Sequence, residues 1–150
     1  MNANDIKNRL TEERSALQAF IGLLEREQKI LLSPDTEPLL DLSTEKSRAA
    51  ESLTALVKKR PQYISAEPGK IEAWLRSNAA IALNIWQDIQ KLGLQAQQMN
   101  KTNGELIQVR MRYNQQAVQA LLGASAQAAG LYDPKGKTNM PGSGRTLGSG

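Results

Sequence analysis

Residues 81–122 contain no proline, and steps of three and four from Ile85 reach Ile85, Ile89, Leu92, Ala96, Met99, Asn103, Leu106, Arg110, Tyr113, Ala117 and Leu121. A mostly apolar seam at that alternation predicts one long helix that needs another helix to cover it. In its second half Ile107, Met111, Val118 and Leu122 run beside the seam, so the apolar arc is wider than one flanking helix buries. The excess marks Leu106, Ile107, Met111, Val118, Leu121 and Leu122 as a candidate binding face. Gly93 and Gly104 each cost a helix interior about 1 kcal/mol relative to alanine, and Asn103-Gly104 in isolation suggests a turn. The flanks nevertheless keep their helical phase and show no period-two alternation, so the expected element is a continuous helix rather than a hairpin.

Residues 4–32 place Ile6, Leu10, Leu17, Phe20, Leu24 and Leu31 at helical spacing, with Glu13 and Glu27 occupying two places in the same series. Asn4 or Asp5 is expected to cap this first helix. The two glutamates are expected at a solvated edge, because charged side chains on helices are mostly solvated. Pro34 and Pro38 punctuate the chain and suit a helix start. A second helix is then predicted to reach Arg60 through Leu39, Leu42, Lys46, Ala49, Leu53 and Leu56. Asp35, Glu37 and Asp41 stand at its amino end and Lys58, Lys59 and Arg60 at its carboxyl end, the charge order that the helix dipole favours.

Pro61 ends the second helix, and the stretch to Gly69 reads as a loop. Residues 70–77 suggest a short helix with Ile71, Trp74 and Leu75 on its apolar face, leading into the long one. Trp74 and Trp86 have two readings, as anchors of the long helix or as binding hot spots. After Leu122 comes a small, alanine-rich stretch able to extend the helix when something packs on it and to fray when nothing does, and beyond it the chain is rich in glycine, serine and proline. That composition predicts a disordered tail, since it buries too little apolar surface to offset its ordering entropy. The expected organisation is a helical domain over residues 1–131 and a tail over residues 132–150.

The 150 residues suffice for one domain. Their lack of cysteine excludes disulfides, thiol catalysis and thiolate metal sites. Their lack of histidine removes a histidine base, a Ser-His-Asp triad and imidazole ligands. No cofactor or metal is therefore expected. The net charge of +4 is carried by scattered residues, whereas nucleic-acid binders gather theirs into a stripe, so no nucleic-acid partner is expected. The amino terminus lacks the pattern of a secretory signal, and no apolar run approaches the ~20 residues of a membrane span. The expectation is a soluble, cytoplasmic, all-α protein: a three-helix antiparallel coiled-coil-like bundle with one long carboxyl-terminal helix and a disordered tail.

Four segments in order resemble the FlgN family of flagellar export chaperones. The leucines and glutamates of the first helix, among them Leu10, Glu13, Leu17, Leu24, Glu25, Glu27 and Leu31, are similar to the family's opening pattern. Leu39-Leu40-Asp41-Leu42-Ser43-Thr44-Glu45-Lys46 is similar to its second-helix signature, and Asn103-Gly104-Glu105-Leu106-Ile107 to its third-helix Asn-Gly element. Leu131-Tyr132-Asp133-Pro134-Lys135-Gly136 resembles the element that opens its tail, with Asp133 departing from the usual glycine or asparagine. The resemblance implies a non-enzymatic chaperone of the hook–filament junction proteins FlgK and FlgL. It would hold their helical carboxyl ends from premature assembly and deliver them to the type III export gate. It also implies that Tyr132 contacts the gate component FlhA, against the plainer reading of a tyrosine packed on the bundle.

Two other readings compete. A small helical chorismate mutase would use Arg110, Arg112, Lys46 and Glu105 on a dianionic substrate, but such an enzyme has no role for the wide apolar arc or the Gly/Ser-rich tail. A coiled-coil homodimeric structural or adaptor protein, its seams closed by a second copy, is the stronger rival.

Overall fold

The computed structural model describes the backbone of residues 1–131 and the side chains of residues 1–114 and 119. The expected tail, with Tyr132, lies outside the described residues, as do the side chains of Val118, Leu121 and Leu122. The described backbone is all-α: α1 (Ala3–Leu31), α2 (Leu39–Lys59), α3 (Ile71–Asn78) and α4 (Leu83–Leu131). Single 3-10 turns occupy Arg60–Gln62, Pro68–Lys70 and Ala80–Ala82. Two compact units divide the chain, Met1–Gly104 and a second that begins at Glu105.

Helix α1 starts earlier than the expected cap. The Asn2 side chain accepts a bond from the Asp5 amide at 2.9 Å, and the Asp5 carboxylate accepts one from the Asn2 amide at 3.3 Å. Asp5 is thus the returning partner of a reciprocal cap, with Asn2 as the cap, because the two bonds together satisfy two otherwise unpaired amides. Ile6, Leu10, Leu17, Leu24 and Leu31 are buried as their spacing predicts, joined by Ile21, while Phe20 is half-buried.

Between α1 and α2 the Ser33 hydroxyl donates to the Ile30 carbonyl at 2.7 Å, and the Asp35 carboxylate accepts from the Glu37 amide at 3.0 Å. Pro38 occupies the cap position of α2. The predicted stripe of α2 is the face turned inward, yet only Leu42 on it is fully buried. The helix stops at Lys59, one residue before the expected end, and Arg60 opens a 3-10 turn with Pro61 inside it.

Helix α3 buries Ile71 and Leu75 and leaves Trp74 half-buried. Its Glu72 carboxylate accepts from Arg76 at 2.9 Å and from Gln87 of α4 at 3.3 Å. These bonds, that from Arg76 foremost, hold the Glu72 carboxyl below the usual range. Helix α4 runs unbroken through Asn103 and Gly104, as the continuous phase of the apolar pattern predicts.

Side-chain bonds give the directions within the first unit. Glu13 meets Arg60 and Glu27 meets Lys46, so α1 and α2 are antiparallel. Arg14 meets Asp88 at 2.8 Å and Glu27 meets Asn103 at 2.9 Å, so α4 returns parallel to α1. The result is an up-down-up bundle whose core joins the α1 seam to Ile64, Ile71, Leu75, Ile85, Trp86 and Ile89.

Candidate functional site

From Glu105 onward, α4 presents an apolar surface. Ile107, Val109, Met111 and Tyr113 are all exposed, Met111 by 57% and Tyr113 by 71%, and Leu106 is half-buried. With 3.6 residues per turn, Val109, Tyr113 and Leu106 form one apolar row and Ile107 and Met111 a second, the two together spanning roughly 200° of the helix circumference with Arg110 and Asn114 between them. Gln108, Arg112 and Glu105 take the remainder. Among the predicted face residues, Ile107 and Met111 therefore share one row, and Leu106 stands on the other, across Arg110 and Asn114. Val109, which lies off the predicted lines, extends the Leu106 row. Val118, Leu121 and Leu122 belong to the same helix, their side chains outside the described residues.

The first unit carries the polar chemistry, and here the expectation of solvated glutamates fails. Glu13 is 1% exposed and Glu27 is 7% exposed. Burial is tolerable because each carboxylate has its own cation, Lys46 within α2 and Arg60 just past its end. Arg60 donates to Glu13 through Nε at 2.8 Å and Nη2 at 3.2 Å, and its guanidinium stacks over the Trp86 ring at 4.9 Å. Lys46 donates to both Glu27 oxygens at 3.1 and 3.2 Å and to Asn100 at 3.0 Å. Asn103 Nδ2 donates to Glu27 and to the Leu24 carbonyl, each at 2.9 Å.

These contacts form two rungs across the three helices. Fourteen residues separate Glu13 from Glu27, Lys46 from Arg60 and Trp86 from Asn100. That common spacing, two heptads on every helix, is the one signal in the sequence that points to the pairs. Arg60, which its position alone suggests as a partner of the helix dipole, instead neutralises a buried carboxylate. Trp86 takes the anchor reading, being buried beneath that guanidinium.

Beside the Glu13 rung lies a groove of about 380 Å³, walled by Leu53 and Val57 of α2, Phe20 of α1 and Ile89, Gly93 and Ala96 of α4. A Cβ added at Gly93 would meet nothing within 4 Å. The hydrophobic pattern does not reveal this groove, because it arises from incomplete filling between seams that are each regular. Among the described residues no cluster of acidic side chains is arranged to hold a metal ion. Lys46 is bound to Glu27 and Asn100 in the first unit, whereas Glu105, Arg110 and Arg112 belong to the second. No described helix is long and apolar enough to cross a membrane.

No curated protein and no solved structure matches the chain. The family model described as FlgN protein matches residues 1–140, nearly the whole length of the chain. With its up-down-up helical bundle and its long fourth helix, the chain belongs to the FlgN family of flagellar chaperones.

Proposed function

We propose that this chain is a cytoplasmic flagellar export chaperone that binds the helical carboxyl-terminal regions of FlgK and FlgL, prevents their premature assembly and hands them to the export gate. The observation that carries the reading is the apolar surface of α4 after Glu105, two rows flanking Arg110 in which four large apolar side chains stand exposed within seven residues, 107–113. A soluble surface rarely leaves such a stripe without a partner, and an amphipathic helix laid along it supplies one. The client occupies residues 106–122, with Leu106, Ile107, Met111, Val118, Leu121 and Leu122 as its contacts. Binding of this kind requires no catalytic group, cofactor or metal.

The test is titration of the chain with a FlgK carboxyl-terminal peptide. Met111→Asp should weaken capture by about 2 kcal/mol, roughly thirtyfold, the scale of an interface hot spot. Its melting temperature should stay at the parent value, because Met111 is exposed. Unaltered binding would place the client elsewhere. A second copy of the chain could cover the same arc, so the mass of the free protein is measured first; a stable dimer that excludes the peptide would favour the homodimeric adaptor.

A further inference from the structure

Between its two rungs α2 is thinly attached. Leu42 near its start and Ile64 just beyond its end are buried, but Leu53 and Leu56 between them are half-buried and Val57 is exposed. Val57 and Arg60 line not only the 380 Å³ groove but also a second one of about 250 Å³, which reaches Ile64, Pro68 and Ile71. The carboxyl half of α2 therefore borders unfilled space at two places, and the contacts just past its end are polar: the Arg60 bonds to Glu13 and the stacking on Trp86.

We infer that residues 49–60 form a strap that detaches by local unfolding while α1 and the first turns of α4 remain folded, with Arg60 as its latch. A segment opens below the global unfolding free energy when it holds few buried apolar contacts, and this one holds no fully buried side chain. The latch adds to the contrast. When it opens, guanidinium and carboxylate both regain hydration, which offsets much of their lost attraction, whereas uncovered apolar groups regain nothing comparable. Opening bares Phe20, Trp86 and Ile89, so one ion pair governs access to that face. The strap is independent of where a client docks on the second unit.

Native-state hydrogen exchange of the full chain, read by mass spectrometry across sub-denaturing guanidinium chloride, tests it. Amides of residues 49–60 should exchange at least about tenfold faster than those of residues 6–24 and 83–99, with a shallower denaturant dependence. Glu13→Gln, which weakens the latch without changing its shape, should speed exchange in 49–60 selectively. Gly93→Leu, which fills the groove from α4, should slow it. The unsubstituted chain can overturn the strap unaided, if residues 49–60 exchange in step with α1 at every denaturant concentration. So does Glu13→Gln if it accelerates all three helices equally, or Gly93→Leu if it leaves 49–60 unchanged.

Discussion

At the scale of single residues, Glu13 has the sharpest requirement, since a carboxylate this buried depends on the Arg60 guanidinium beside it. Arg60→Met should strand that charge and cost about 3–5 kcal/mol, while Glu13→Leu combined with Arg60→Met should recover most of the loss, because both desolvation costs vanish together. Urea midpoints of the parent, the single and the double variant check the cycle. Tyr63, half-buried nearby, has its phenol pushed up from 10.0 to about 12, first by burial and then by the Glu13 charge. Between those two values the unfolded chain releases the phenolic proton and the folded chain keeps it. The stability that Tyr63 contributes is thus fully present below pH 10.0 and is lost as the pH rises toward 12. Absorbance titration should show one late-ionising tyrosine that disappears in Tyr63→Phe, and that variant's melting temperature should fall less steeply across the same window. Neither residue's environment was legible in the chain: Glu13 stood visibly in the apolar series, but only its neighbour on another element distinguishes a buried pair from a solvated edge.

At the scale of elements, the two rungs fix how the helices slide. Their fourteen-residue spacing corresponds to about 21 Å of helix. Apolar seams repeat every heptad and tolerate a slip of seven residues. Such a slip of α2 against α1 would set Leu53 opposite Glu13 and Leu39 opposite Glu27, leaving two carboxylates buried without cations. The pairs therefore select one register, as isolated polar residues do in coiled coils. Asn103 serves the same end for α4, spending its amide on Glu27 and on the Leu24 carbonyl while its Oδ1 stays buried without a partner among the described residues. Gly104, the next residue, has no such task. A methyl group there meets nothing within contact distance, so Gly104→Ala should stabilise the chain by about 0.5–1 kcal/mol through helix propensity, measured by thermal unfolding. Loss of stability would show that the Asn-Gly step serves a bend of the helix in solution.

At the scale of the whole molecule, the proposed chaperone separates two tasks along one chain, capture by the arc after Glu105 and delivery through Tyr132. Tyr132→Ala should abolish docking of the loaded complex to the cytoplasmic domain of FlhA and leave the affinity for the FlgK peptide unchanged, because a tyrosine seated in a partner's pocket contributes at hot-spot scale only to that interface. Titration of the loaded complex against FlhA, with and without the substitution, checks this. Equal affinities would remove Tyr132 from the gate contact, and a joint loss of client binding would place its ring against the chaperone itself. The exposed apolar surface was legible in part: Ile107 and Met111 are picked out by the width of the apolar pattern, and Val109 is not, because it lies off both lines traced by steps of three and four.

By itself the sequence determined the helices, their approximate ends except that of α4, which runs on past Leu122 to Leu131, the continuity of α4 through Asn103-Gly104 and the surplus apolar positions Ile107 and Met111. Each of these follows from local rules, the 3.6-residue period, proline's missing amide and helical phase, which act within a few residues. Tertiary structure alone decided which seam residues were paired charges and where the packing leaves a groove. Those outcomes depend on side chains that are distant in sequence but adjacent in space. The carboxylate of Glu13 is buried because Arg60, 47 residues away, arrives beside it.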